Sequence, residues 1–362
     1  MNVIVFLIVL SILIIVHEAG HLFIAKLLGV RVEKLSLGFG PRILSLKRKF
    51  TQYTLSLIPF GGYVKLAGDS REEFKGNEWE YLSRSPGERA AIVFFGPLLN
   101  YFLALVLFYI VFMIGYPTIN ARVGDLLENF PAARAGLLKD DLVKSVDGQR
   151  VADWEELQQA IRSKTSGPVE MVVLRDKKEM KFVIEPRIEK LKNIFGQEES
   201  VSVVGIKPKE EIIKLKYNFR TAFVMASKKL WLITTMTFKA IWRMLTGGMS
   251  FKESVTGPLG IFYITSKAME LGIGALLQVM AILSASLAIF NVLPLPVLDG
   301  GHLFFLGIER IRKKPLGAKT EEWITRFGLS LILFLAVFVF YNDLVKFGVI
   351  DKIMAFSGKL RF

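Results

Sequence analysis

Residues 12–28 constrain this chain more than any other stretch. They read Ile-Leu-Ile-Ile-Val-His17-Glu18-Ala-Gly-His21-Leu-Phe-Ile-Ala-Lys-Leu-Leu, inside an apolar run that begins at Val3. A helix here puts His17 and His21 one turn apart on one face, as two imidazole ligands of one metal ion require. Glu18 projects to a different side, where it could take a proton from a water activated by that metal. Ile, Val, Leu and Phe flank the motif, so the bland alternative, a solvated polar stripe on a soluble helix, has no solvated face to occupy. Ionisable side chains inside a membrane span point to function. At ~1.5 Å per residue His17 lies ~21 Å into the run, nearer its exit than its entry.

The chain has 362 residues, 52% of them hydrophobic. That is too apolar for an ordinary soluble protein, so a polytopic α-helical membrane protein is expected. The formal net charge is +14. In this class such a balance reflects Lys and Arg in cytoplasmic loops, and no basic stripe interleaved with base-stacking aromatics argues for nucleic acid as a partner. Cysteine is absent, which excludes disulfides, thiolate chemistry and Cys-ligated zinc. Met1-Asn2 leads straight into the apolar run without a basic n-region, so the first span reads as retained and not as a cleaved signal peptide.

About four transmembrane helices are expected. The first occupies 1–30. Residues 31–89 form a loop whose segment 53–66 alternates with period two (Tyr53, Leu55 and Leu57 against Thr54 and Ser56), and Pro59 with Gly61-Gly62 marks its turn. This reads as a β-hairpin partly dipping into the membrane, and the pattern alone fits a plain surface hairpin as well. The second span occupies 90–117, with Gly96-Pro97 and Asn100 near its start, small and polar residues suited to close helix packing. Residues 118–208 change composition and read as an α/β module. Residues 129–148 are expected to give a short helix, a strand and a tight Asp147-Gly148 turn, 154–162 a second helix, and 169–174 and 181–184 strands. Residues 209–270 read as amphipathic helices lying in the interface, with Lys228, Lys229, Lys239 and Arg243 on one third of the helix circumference. The third span, 271–308, is interrupted by Pro294 and Pro296 before Asp299. Paired prolines free backbone groups that lipid tolerates only beside a site or cavity. A basic loop at 309–323, a fourth span at 324–348 and a tail at 349–362 complete the chain.

A catalytic zinc keeps three protein ligands and one open position. His302 is the only remaining histidine, so the third ligand is His302 or a carboxylate. Span counting brings Asp299 to the side where the first span exits, whereas the module lies across the membrane. Asp299 borders an uncharged run, where a carboxylate must be paired or ligating. Asp299 is therefore favoured over His302. The loops 31–89 and 309–323 on that side are rich in Lys and Arg, so it is the cytoplasmic side.

His17-Glu18-Ala-Gly-His21, Asn291-Val-Leu-Pro294-Leu-Pro296-Val-Leu-Asp299-Gly300 and the intervening module resemble the site-2 protease family, in its bacterial regulator-of-sigma-E-protease branch. Gly96-Pro97-Leu-Leu-Asn100 and Pro59-Phe-Gly61-Gly62-Tyr63 match it too. Around 129–158 the module resembles a PDZ domain, with 201–206 as a possible terminal strand and carboxylate-binding loop. The branch's best-known members carry two tandem PDZ domains, and this chain has room for one. The resemblance implies a multi-pass protease of the bacterial inner membrane, its active site towards the cytoplasm and its PDZ domain outside. It would hold Zn2+ through His17, His21 and Asp299 and use Glu18 as base. Its substrates would be single-pass membrane proteins such as anti-sigma factors or remnant signal peptides. Asn291 and Pro294, and Tyr53, Leu55, Leu57, Gly61 and Gly62 of the hairpin, are expected to contact substrate. A peptide or free C-terminus is expected at the PDZ domain. Two rivals stay open here: a membrane metalloprotease of another class with a Glu ligand, and a non-enzymatic scaffold displaying a PDZ domain.

Overall fold

A computed structural model describes residues 2–193 and 198–348; the expected tail at 349–362 lies outside the described residues. The chain divides into two compact units, one made of Met1–Tyr109, Ala226–Phe238 and Phe251–Phe362, the other of Ile110–Met225 and Lys239–Ser250.

The first unit begins with α1 (Asn2–Leu27), 26 residues that are apolar apart from Asn2, Ser11, His17, Glu18, His21 and Lys26. At ~1.5 Å per residue it extends ~39 Å, more than a bilayer core requires. Strands β1 (Val32–Arg48) and β2 (Thr51–Leu66) follow. Their pairing doubles back. Residues 32–37 run antiparallel to 62–66 (Val32↔Leu66, Leu37↔Gly62), and 42–48 run antiparallel to 51–56 (Arg42↔Ser56, Arg48↔Thr51). Between these, Lys34↔Gln52 to Leu37↔Leu55 advance in the same direction. The layer order is therefore 62–66, 32–37, 51–58, 42–48, with bends near 38–41 and 59–61.

This corrects the expected hairpin over 53–66. Its two arms do not pair with each other; each pairs with 32–37, from opposite sides. The tight turn is at Lys49–Phe50, where Lys49 has φ 53°. The period-two pattern was legible in the second strand only, because 32–48 mixes apolar, charged and glycine residues.

Helix α2 (Pro86–Ile114) starts four residues before the expected span and ends three before it. The second unit opens with β3 (Tyr116–Ile119), β4 (Val123–Leu126), α3 (Pro131–Arg134), β5 (Leu142–Val146), β6 (Gln149–Arg150) and α4 (Trp154–Arg162). It continues with β7 (Val169–Arg175), β8 (Lys178–Ile184), β9 (Arg187–Lys192), β10 (Glu198–Val203), β11 (Ile206–Pro208) and β12 (Ile212–Leu215). The sheet runs β6-β5-β7-β8, and β11 pairs with β4 and β12 with β3. Alternation puts Val143, Val146, Val169, Met171, Val173 and Ile184 inside, against Leu157 and Ile161 of α4. Asp153 caps α4 by accepting from the Glu156 N–H at 2.9 Å, and the Glu156 carboxylate accepts from the Ala152 N–H at 2.8 Å. That reciprocal pair fixes the helix start. Residues 212–215, expected in an interfacial helix, form a strand instead, because Ile212-Ile-Lys-Leu215 finds an open partner in β3.

Helices α5 (Phe219–Leu245), α6 (Phe251–Ser254) and α7 (Pro258–Leu271) precede α8 (Ile273–Val292), α9 (Asp299–Arg312) and α10 (Ala318–Lys346). The expected third span over 271–308 is thus two helices, broken at 293–298, where Pro294 and Pro296 remove two backbone donors. The expected loop at 309–323 shrinks to 313–317, since α9 runs on to Arg312 and stops at Lys313 in a left-handed conformation. Among the described residues α1, α2, α8 and α10 are long and apolar enough to cross a membrane.

Candidate active site

The site lies wholly in the first unit. In α1 the i, i+4 spacing delivers His17 and His21 to one face, and their Nε2 atoms stand 3.2 Å apart. The first residue of α9, Asp299, brings Oδ2 to 3.1 Å from His17 Nε2 and 3.6 Å from His21 Nε2. One ligand atom from each of the three residues lies within 4.8 Å of the other two. The hydrogen-bond pattern fits a cation. His21 Nδ1 is 2.9 Å from the Ile92 carbonyl. A carbonyl only accepts, so the proton sits on Nδ1 and the Nε2 of the neutral ring carries a lone pair aimed at the other two groups. Asp299 Oδ2 and His17 Nδ1 are buried with no hydrogen-bond partner among the described residues. Two imidazoles and a carboxylate are a donor set that zinc takes readily.

Helix α2 sets the position of the histidines. Besides Ile92, it contributes Gly96, where a Cβ would fall 2.2 Å from His21 Nε2 and 3.0 Å from His17 Cε1. Only glycine leaves room for both rings. The break before α9 is equally tight. Val297, a β-branched residue, takes φ 81° two positions before Asp299, a strained conformation of the kind that collects at functional sites.

A cavity of about 1200 Å³ holds His17, Glu18, His21, Asn291, Asp299 and His302 in its wall. His302 faces the cavity but is outside the three-residue cluster. At its polar end Arg89 of α2 donates to Glu309 of α9 at 2.5 Å and to the Arg84 carbonyl at 3.1 Å. Arg71 donates to the Leu316 carbonyl at 2.6 Å and to Glu321 at 3.2 Å. Tyr81, beside Arg89, is half-buried, and the loss of solvent around it pushes its phenol well above the usual range and keeps it neutral.

Of the expected hairpin residues, only Gly62 adjoins the cluster: a Cβ there would be 3.4 Å from Glu18 Cγ and 2.9 Å from Ile14 Cγ2. Tyr53 accepts from Lys26 Nζ at 2.9 Å, Leu55 and Leu57 are exposed, and Gly61 packs on Phe39. None of these four, nor Pro294, lines the cavity, whereas Tyr63, Val64 and Leu66 do. The strand beside Glu18 is therefore 62–66. Arg89, Glu309 and Ile92 were not singled out from the sequence. A backbone carbonyl carries no sequence signal, and a lone Arg at a helix start has a surface reading by default.

Residues 5–335 match the family described as Peptidase family M50. The protein Atu1380 of Agrobacterium fabrum is 33% identical, over 94% of each chain. A protein named zinc metalloprotease RasP in Geobacillus kaustophilus is 27% identical, over 96% of this chain and 98% of its own. Among solved structures, the PDZ domain of the SdrC-like protein Lmo2051 from Listeria monocytogenes is 21% identical, over 25% of this chain and 86% of its own, with a TM-score of 0.20. The chain belongs to the M50 peptidases, the site-2 protease family. It is accordingly a zinc-dependent membrane metalloprotease.

Proposed function

We propose that this protease hydrolyses a peptide bond within the transmembrane segment of single-pass membrane proteins, of the anti-sigma-factor or remnant-signal-peptide type. The observation that carries the reading is the convergence of His17, His21 and Asp299 in the wall of one cavity, with both histidines on a helix long and apolar enough to cross a membrane. These three residues would hold zinc. When bound, zinc supplies Lewis-acid chemistry, lowering the pKa of water and polarising a carbonyl.

The chain's own residues do the rest. Glu18 accepts the proton of the attacking water and passes it to the leaving amine, as general base and then general acid. His21 is held in one tautomer by Ile92. Asn291, in the last turn of α8 and in the cavity wall, donates its amide to the substrate backbone or to the developing oxyanion. A helical substrate must unwind before attack. Residues 62–66 pair with 32–37 on one side only, and the other edge, beside Glu18, can receive an extended segment by strand addition.

The module at 118–208 gates access, excluding substrates with bulky external domains or reading a newly cut C-terminus. The order β10, Gly205, β11 with α4 alongside supports a PDZ-type peptide groove. The cation-rich loops support a cytoplasmic site and an external module in a bacterial inner membrane.

The test is reconstitution of the full chain with a panel of single-pass substrates, comparing wild type with Glu18→Gln. The expected result is cleavage inside the apolar segment by wild type alone. Cleavage confined to aqueous segments, or equal cleavage by Glu18→Gln, overturns the reading.

A further inference from the structure

The outer arm of the β1–β2 sheet carries chemistry that peptide hydrolysis does not use. Residues 41–50 are all exposed. The arm 42–48 pairs only with 51–56. Cross-strand partners share a face, so Leu44 with Leu55 and Leu46 with Tyr53 form an apolar surface on one side. Leu44, Leu46 and Leu57 are 65%, 68% and 60% exposed. Directly after this aliphatic blade come Lys47, Arg48 and Lys49. None of the three has an acidic partner among the described residues.

The height of the rim follows from its contacts. At the turn end, the Arg31 guanidinium lies 4.4 Å from the Phe50 ring centroid and 3.9 Å from that of Trp79. Lys26, in the last turn of α1, donates to Tyr53. The cationic end of the sheet is thus level with the exit of α1. The opposite end, at Gly62, lies against Ile14. Ile14 and Lys26 are separated by ~18 Å of helix at ~1.5 Å per residue. The sheet therefore spans the depth between the membrane surface and the zinc motif, with leucines along its length and cations at its outer end.

We propose that Lys47, Arg48 and Lys49 bind the anionic headgroups of phospholipids in the leaflet where α1 exits. The blade occupies hydrocarbon while the rim meets phosphate, the arrangement that long cationic side chains favour at an interface. An acidic soluble partner would satisfy the cations and leave Leu44 and Leu46 in water, so the pairing of blade and rim selects a lipid. Headgroup binding fixes the depth of the sheet, and with it the height of 62–66 against Glu18. The inference rests on the membrane character of the chain and not on the catalytic assignment.

The absence of cysteine makes the test direct. Full-length Ser45→Cys protein, carrying a fluorophore, is placed in nanodiscs of mixed phosphatidylcholine and phosphatidylglycerol, with one lipid or the other spin-labelled. Spin-labelled phosphatidylglycerol should quench about three- to fivefold more than spin-labelled phosphatidylcholine at low salt, and the excess should shrink near about 0.5 M salt. In the Lys47→Gln/Arg48→Gln/Lys49→Gln background the ratio should fall to about one, with zinc content unchanged as the control for folding. Equal quenching in the parent protein, an undiminished ratio in the triple variant, or no quenching by either lipid overturns the proposal. Glu18→Gln should leave the ratio as in the parent, which separates this proposal from the protease reading.

Discussion

Two aspartates, one in each unit, hold a carboxylate oxygen out of solvent for opposite reasons. Asp141 of the module is fully buried and fully partnered. Arg175 donates to both of its oxygens, at 2.7 and 2.6 Å, and the Leu138 N–H adds a third bond at 2.9 Å. Asp299 faces two imidazole nitrogens and has an oxygen with no donor among the described residues. The first is an internal salt bridge whose charge is balanced by the chain itself. The second is grouped with two imidazoles, a donor set that suits a metal ion. Burial alone does not separate a structural carboxylate from a ligand; the inventory of partners does.

Several substitutions sharpen or break this contrast. The largest effect is expected for Glu18→Gln, which removes the proposed base and leaves the three-residue cluster intact. Activity should fall by about a thousandfold or more, while zinc per chain, measured by elemental analysis, stays at the wild-type value. Zinc loss in that variant would place Glu18 among the ligands. Asp299→Asn follows. A neutral amide is a poor ligand, and zinc affinity in competition with a chelator should drop by more than the ~10–100-fold that outer-shell partners cost. Unchanged affinity would erase the distinction between the two aspartates.

Gly96→Ala probes the seat of the histidines. Its methyl would meet His21 Nε2 at 2.2 Å, so zinc affinity should fall by about 10–100-fold with little change in helix content by circular dichroism. The smallest effect on chemistry is expected for Asp141→Asn, which leaves Arg175 without its carboxylate. The module should lose roughly 1–3 kcal/mol, seen as faster proteolysis of 118–208, with zinc content untouched. If Asp141→Asn also strips zinc, the two sites are not independent.

The sequence carried some of this arrangement and concealed the rest. His17, Glu18 and His21 were legible because their spacing is local and their surroundings are apolar. Asp299 was reached through span parity and the cost of a carboxylate beside an uncharged run. The sheet was only half read. In 51–58 the alternation is clean, but 32–48 hides its strand behind Gly38, Gly40 and Pro41, so the partner of 62–66 was missed and the hairpin was given the wrong pairing. With the observed pairing, Tyr63 and Val64 line the cavity, and Tyr53, Leu55 and Leu57 do not. The strand at 212–215 was missed because its partner, β3, lies about a hundred residues away, beyond any local pattern. Arg89 and Glu309 are 220 residues apart, and nothing local marks them as a pair.

Zinc K-edge X-ray absorption on full-length Glu18→Gln protein in nanodiscs tests the central claim most directly. Two imidazole nitrogens with oxygen donors completing the sphere are expected, with a spectrum that changes on Asp299→Asn but not on His302→Ala. Three imidazoles in the first sphere, with the spectrum altered by His302→Ala, would contradict it.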